Sequence, residues 1–142
     1  MHDIGKVAIS DAILLKPGKL TDDEFTRMKE HAAIGYEIFK KSSHRLLQMA
    51  AIISHEHHEK WDVTGYPRGL GGTDISICGR ITAVADVFDA LSNDRVYKEA
   101  WPLEDVIDFM KEESGKSFEP KIVDLLLEHM DDILDIKQRH NK

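Results

Sequence analysis

Cysteine is nearly absent from this chain: Cys78 stands alone among 142 residues. A lone thiol excludes an internal disulfide and an all-thiolate zinc site. It fits a reducing, cytosolic setting. Positive charge is also short, with 19 Lys and Arg against 26 Asp and Glu, a net charge of -7. That balance argues against a DNA- or RNA-polymer surface. It leaves room for a small anionic ligand, because bound cations can invert the local field. No apolar run approaches the roughly 18 residues that a membrane span needs. The polar start reads as no signal peptide. Repeats, low-complexity segments and strand-like alternation are missing too. What remains has the length of one domain, with 42% hydrophobic residues to build a core.

The pattern reads as all-α. Thr21-Asp22-Asp23-Glu24 has the form of a capping box, a hydroxyl followed three residues later by a glutamate. Lys16-Pro17-Gly18-Lys19 before it is a turn signal. Phe25, Met28, Ala32, Gly35 and Ile38 recur at helical spacing and predict a helix over about 21–40. Ser42-Ser43 interrupts the period. Leu46, Leu47, Ala50, Ile53 and His57 resume it over about 44–58. Four glycines and Pro67 mark residues 60–78 as a loop, long enough to suggest function. A further helix is expected from near Arg80 to Ser92. Another runs from Pro102 to Ser114-Gly115, and a last one opens at Pro120 and reaches Met130. The domain is assigned to residues 1–134, with 135–142 a polar tail that frays.

Six side chains can hold a divalent cation: His2, Asp3, His31, His57, His58 and Asp86. Imidazole and carboxylate together suit zinc, iron, manganese, nickel or cobalt. A carboxylate can bridge two ions and an imidazole cannot, so Asp3 is the bridging candidate. On a helix, the adjacent His57 and His58 diverge by roughly 100°. That divergence favours more than one ion over a single tetrahedral zinc. Plainer readings stand beside this one. An isolated helical histidine such as His31 is commonly a surface or core residue. The stretch from Ser54 to Glu59 reads equally as a solvated helix end. Asp86 lies in an apolar run, where a buried charge needs a partner, whether a metal, an N–H or an arginine.

Six segments, in order, resemble the HD-GYP domain family, the bacterial branch of the HD superfamily associated with cyclic di-GMP hydrolysis. They are His2-Asp3-Ile4-Gly5-Lys6, Leu14-Leu15-Lys16-Pro17-Gly18-Lys19-Leu20, His57-His58-Glu59-Lys60-Trp61-Asp62, Gly65-Tyr66-Pro67, Ala85-Asp86-Val87-Phe88-Asp89-Ala90-Leu91 and Asp94-Arg95-Val96-Tyr97-Lys98. The match covers about residues 2–125. Departures are small: Val63 stands where glycine is usual, Val96 where proline is usual, and Ala32 differs after His31.

The resemblance implies an HD-domain helical bundle and a metal-dependent phosphodiesterase in bacterial signal transduction, located in the cytoplasm. His2, Asp3, His31, His57, His58 and Asp86 fall on metal ligands for two or three ions, with iron or manganese favoured. Asp3 falls on the bridging carboxylate, and Lys6 on a lysine that faces the phosphate. Tyr66, Arg95 and Lys98 fall on substrate-contacting positions. The expected reaction is attack on cyclic di-GMP by a hydroxide that the cations generate from water, giving the linear dinucleotide or GMP. Tyr66 suits stacking on a guanine. The family also implies one or two helices ahead of His2-Asp3 carrying a further ligand, so the domain is expected to be N-terminally truncated. A sensor or receiver domain, upstream or in trans, and a homodimer are the expected partners, and no membrane. Two rival readings are a non-catalytic module that senses cyclic di-GMP or docks proteins, and an HD-type phosphohydrolase for another nucleotide. His44, His55, Glu56, His129 and His140 carry no expected role. Trp61, Phe88 and Trp101 are expected to pack.

Overall fold

A computed structural model describes residues 1–96 and 98–141, so Tyr97 of the Asp94–Lys98 motif lies outside the described residues. A 3-10 turn over Ile4–Ala8 opens the chain and leads to the short α1 (Asp11–Leu14). Then come α2 (Asp22–Phe39), α3 (Arg45–Glu56), α4 (Ile77–Ser92), α5 (Leu103–Glu113), α6 (Pro120–Glu128) and α7 (Met130–His140). Among the described residues no strand forms, and two isolated bridges, Arg95 with Lys98 and Ser114 with Phe118, close tight loops. The all-α expectation holds.

Local chemistry explains the boundaries. Thr21 caps α2 with a complete capping box: its Oγ1 accepts from the Glu24 N–H, and Glu24 accepts from the Thr21 N–H. The helix that was expected near Arg80 starts earlier, at Ile77, because the Ser76 hydroxyl accepts from the Gly79 N–H. Gly115, at φ 81°, follows the end of α5 as expected.

Two expectations for the C-terminal part need correction. The single helix from Pro120 is divided at His129, whose backbone leaves helical geometry at ψ 22°. The residues from Asp135 do not fray but continue α7 to His140. Three contacts hold them. Arg139 pairs with Asp135 at 2.7 Å, the Lys137 ammonium donates to the Ser92 carbonyl, and Ile133 and Leu134 pack on the core. Polarity alone suggested a tail, but a helix with one apolar stripe can be mostly polar and still dock.

The main core lies among α4 to α7, where Phe88, Leu91, Val106, Met110, Phe118, Val123 and Met130 are buried. Trp101 packs against it, edge-on to Phe109. The other half is built on close helix approach. The 3-10 turn and α3 both pack on α2, through small residues: Gly5, Ala32, Gly35, Ala50, Ala51 and Ser54. Gly5 shows how tight this is, because a Cβ there would lie 1.8 Å from the His31 carbonyl oxygen. That approach lays His2 and Asp3 beside α2. No helix among the described residues is long and apolar enough to cross a membrane.

Candidate metal centre

Three elements deliver Asp3 and the histidines of the site, and α4 adds Asp86. The segment before the 3-10 turn brings His2 and Asp3, and buried Ser54 of α3 donates to the His2 carbonyl at 3.1 Å. Helix α2 brings His31, which is 2% exposed. The end of α3 brings His57 and His58. Helix α3 ends at Glu56, and His57 at its C-cap keeps helical backbone, with φ -66° and ψ -16°. The rings of His57 and His58 nonetheless lie with their centroids 4.0 Å apart.

Hydrogen bonds on the outer side of two rings fix what faces inward. His31 Nδ1 lies 2.6 Å from the Met28 carbonyl, and His57 Nδ1 lies 2.9 Å from that of Ser54. A carbonyl only accepts, so each Nδ1 carries the proton. In the neutral ring each Nε2 then presents a lone pair to the centre. This is the orienting arrangement that metal-binding histidines use.

The inward atoms crowd one another. His31 Nε2 is 3.4 Å from His57 Nε2 and 3.2 Å from His58 Nε2. Asp3 Oδ1 is 3.4 Å from His31 Nε2 and 3.5 Å from His57 Nε2. Ligand atoms of these four residues all lie within 4.8 Å of one another. A tetrahedral ion with bonds of roughly 2.0–2.1 Å has donors spaced by roughly 3.3 Å. The donor set therefore fits a divalent cation, in both chemistry and spacing.

The second carboxylate oxygen looks the other way. Asp3 Oδ2 is 3.3 Å from His2 Nε2 and 3.3 Å from Lys6 Nζ. His2 Nε2 is also 3.4 Å from Asp86 Oδ1. Asp86, on α4, is partly exposed and has this imidazole as its partner.

Charge follows the geometry. The imidazoles of His31 and then His57 beside it, with Lys6 and His2 nearby, hold the Asp3 carboxyl well below the usual carboxylate range. Burial, helped by the neighbouring His57 and His31, pushes His58 down to about 3, so its ring is neutral near pH 7. Burial, then the charge of Asp3, pushes Tyr66 up to about 12.

The structure thus gathers His2, Asp3, Lys6, His31, His57, His58 and Asp86. It places Tyr66 against them, with its ring stacked on His58 at 4.7 Å and edge-on to Phe25 at 6.2 Å. One face of Tyr66 is therefore taken by a histidine. Arg95 and Lys98 are not brought in. They are exposed on the loop after α4, where each backbone N–H bonds the other's carbonyl and Lys98 Nζ sits 4.9 Å over Trp101. Among the described residues no ion pair links either one to the cluster.

Sequence reasoning missed the residues that shape the loop. Glu56, given no role above, is buried and accepts from the Ser76 N–H at 2.8 Å and from Arg68 Nη2 at 3.1 Å. Glu59, 2% exposed, accepts from the N–H groups of Arg68 at 2.7 Å and Leu70 at 2.9 Å. Buried carboxylates at the foot of a glycine-rich loop satisfy its free amides. The available signal was acidic residues alternating with the histidines where the loop begins. Gly65 completes the turn, since a Cβ there would lie 2.4 Å from the His58 carbonyl oxygen.

A helical bundle carrying a paired His-Asp, two further histidine sources and a helical aspartate defines an HD-type domain. The HD domain family model matches residues 1–122, and the chain belongs to that family. Its motifs place it with the HD-GYP type. It is 52% identical over 137 residues to the 3'3'-cGAMP-specific phosphodiesterase 2 of Vibrio cholerae, covering 96% of this chain and 26% of that protein. The cyclic di-GMP phosphodiesterase response regulator RpfG of Xanthomonas campestris is 50% identical over 127 residues, 89% of this chain and 34% of its own length. A cyclic di-GMP phosphodiesterase of Thermotoga maritima is 47% identical over 139 residues, 98% of this chain and 38% of its own. The chain spans between a quarter and two fifths of these relatives.

Proposed function

We propose that this domain hydrolyses the phosphodiester of a cyclic dinucleotide, with cyclic di-GMP as substrate and the linear dinucleotide or GMP as product. The observation that carries the reading is the two-sided Asp3 carboxylate. Oδ1 faces His31 and His57, and Oδ2 faces His2 and Lys6. The names of the relatives supply the substrate class.

His31, His57 and His58 with Asp3 Oδ1 would hold one divalent ion. His2 and Asp86 with Asp3 Oδ2 would hold a second. The mixed nitrogen and oxygen donors suit iron or manganese, with zinc, nickel or cobalt as competitors. Bound cations supply Lewis acidity and lower the pKa of water at the site. Lys6 adds a charged donor for a phosphoryl oxygen beside Asp3. Tyr66 holds the His58 ring in place through its stacked face. Arg95 and Lys98, exposed on the next loop, contact the ligand as it arrives. The longer chains of the relatives suit a sensor or receiver domain that acts on this one, joined to it or in trans.

The test is metal content together with cyclic di-GMP turnover, for the wild type and Asp3→Ala. Metal-dependent turnover that Asp3→Ala abolishes supports hydrolysis. Tight nucleotide binding by a metal-loaded protein without turnover would instead establish a sensing module.

A further inference from the structure

A cavity of about 330 Å3 adjoins the metal centre, and most of its wall has no part in holding metal. His58 and Asp86 line it on the cluster side. Phe109, Phe118, Glu113 and Ser117 line it where α5 gives way to α6. Its size lies at the lower end for small-molecule sites.

Glu113 is the odd group in that wall. Among the described residues its side chain has one hydrogen-bond partner, the Ser117 hydroxyl, which donates to Oε2 at 2.5 Å. Among the described residues no cation pairs with it. Its remaining lone pairs are unused, and an ionised carboxylate only accepts. The turn that carries it is fixed to the loop after the histidines, because the N–H groups of Trp61 and Asp62 bond the carbonyls of Ser117 and Lys116 at 3.2 and 2.9 Å. The carboxylate thus lines, on a fixed turn, the same cavity as two phenylalanines and the metal-centre residues His58 and Asp86.

An anion does not approach an unpaired carboxylate. The part of a cyclic dinucleotide that reaches Glu113 must be neutral and must donate. That describes a base edge or a ribose hydroxyl and not a phosphate, and the flanking phenylalanines favour the base. Guanine presents two donors side by side on its Watson–Crick edge, N1–H and the N2 amino group. Adenine presents only one donor there, the N6 amino group, beside an acceptor at N1 that a carboxylate repels. Resting on the hydrolytic reading above, we propose that Glu113, positioned by Ser117, reads a guanine in this cavity and sets the preference for guanine over adenine. Phe109 and Phe118 supply the apolar surface that bases favour.

The test is the affinity of the metal-loaded full chain for cyclic di-GMP, 3'3'-cGAMP and cyclic di-AMP, for wild type, Glu113→Gln and Ser117→Ala. Binding is read by calorimetry and folding by melting temperature. The wild type should prefer cyclic di-GMP over cyclic di-AMP. Glu113→Gln should shrink that ratio by at least about fivefold, the low end for one paired base contact. Ser117→Ala should shrink it in the same direction by less. A wild type without guanine preference would overturn the proposal, as would an unchanged ratio in a folded Glu113→Gln. Hydrolysis of bis(p-nitrophenyl) phosphate by the wild type, which offers no base, separates the two readings. Its presence with an unchanged ratio removes only the role of Glu113. Its absence, with no turnover of any dinucleotide, removes the hydrolytic reading, and the binding ratio still decides Glu113.

Discussion

His31 Nε2 and His58 Nε2 face each other at 3.2 Å. The Nδ1 proton of His31 is committed to the Met28 carbonyl, so two neutral rings can meet this closely only around a proton or a cation. A divalent ion satisfies both nitrogens and Asp3 at once. Manganese or ferrous iron should therefore raise the melting temperature of chelator-stripped protein. A ligand at 100 times its Kd stabilises by about 2.7 kcal/mol. His31→Ala should abolish most of that gain. A melting temperature indifferent to every divalent metal would refute the site.

Acid should weaken the metal-free protein through His58. Its folded pKa is lowered to about 3 from an ordinary 6.5, by burial first. Above pH 6.5 the ring is neutral, folded or not, and nothing is lost. Between those values the unfolded chain takes up a proton that the folded one refuses, so stability falls as pH falls. The slope from this group is at most about 1.4 kcal/mol per pH unit. Denaturant unfolding in EDTA at pH 7, 6 and 5 should show the loss, and His58→Gln should flatten it. An equal slope in both proteins would contradict the neutral, buried ring.

Helices and ligands were legible in the sequence for different reasons. The capping box at Thr21 and the apolar period of α2 are local, so they read directly. The ligand set was chemically suggestive, and the family motifs ordered it. What the sequence hid depends on tertiary contact. His57 and His58 come together at the C-terminal end of α3, with ring centroids 4.0 Å apart, which no local period announces. Glu56 and Glu59 looked like a solvated helix end, yet they are buried because the loop folds its amides onto them. Tyr66 looked free for a base, yet His58 occupies one face. The helical residues after Asp135 are held by Ser92, far away in sequence.

Glu59 gives the clearest check on the loop. It satisfies two backbone N–H groups, of Arg68 and Leu70, in a place with almost no water. Glu59→Ala leaves both donors buried and unpaired, at about 1–3 kcal/mol for each unsatisfied group. Hydrogen exchange at the amides of Arg68 and Leu70 should accelerate at least tenfold while those of Val106 and Met110, deep in the core, hold their order of protection. If both amides keep wild-type exchange, the carboxylate is not what secures the loop.

Val63 is strained where it stands. Its φ is 66°, left-handed territory that a β-branched side chain avoids. The family pattern that the sequence resembles has glycine there, a preference the backbone explains without any role in the chemistry. The strain is of the order of about 1–2 kcal/mol. Val63→Gly removes it but gives the unfolded chain more freedom, which returns part of the gain. Val63 is 61% exposed, so little packing is lost with the side chain. The net expectation is a gain of up to about 1 kcal/mol, seen as a higher denaturant midpoint with an unchanged slope. Proteolysis within the loop should slow in parallel, since Val63 N–H bonds the Lys60 carbonyl at 3.0 Å and that turn becomes unstrained. A lower midpoint for Val63→Gly would show that the left-handed turn is not where the sequence and the backbone conflict.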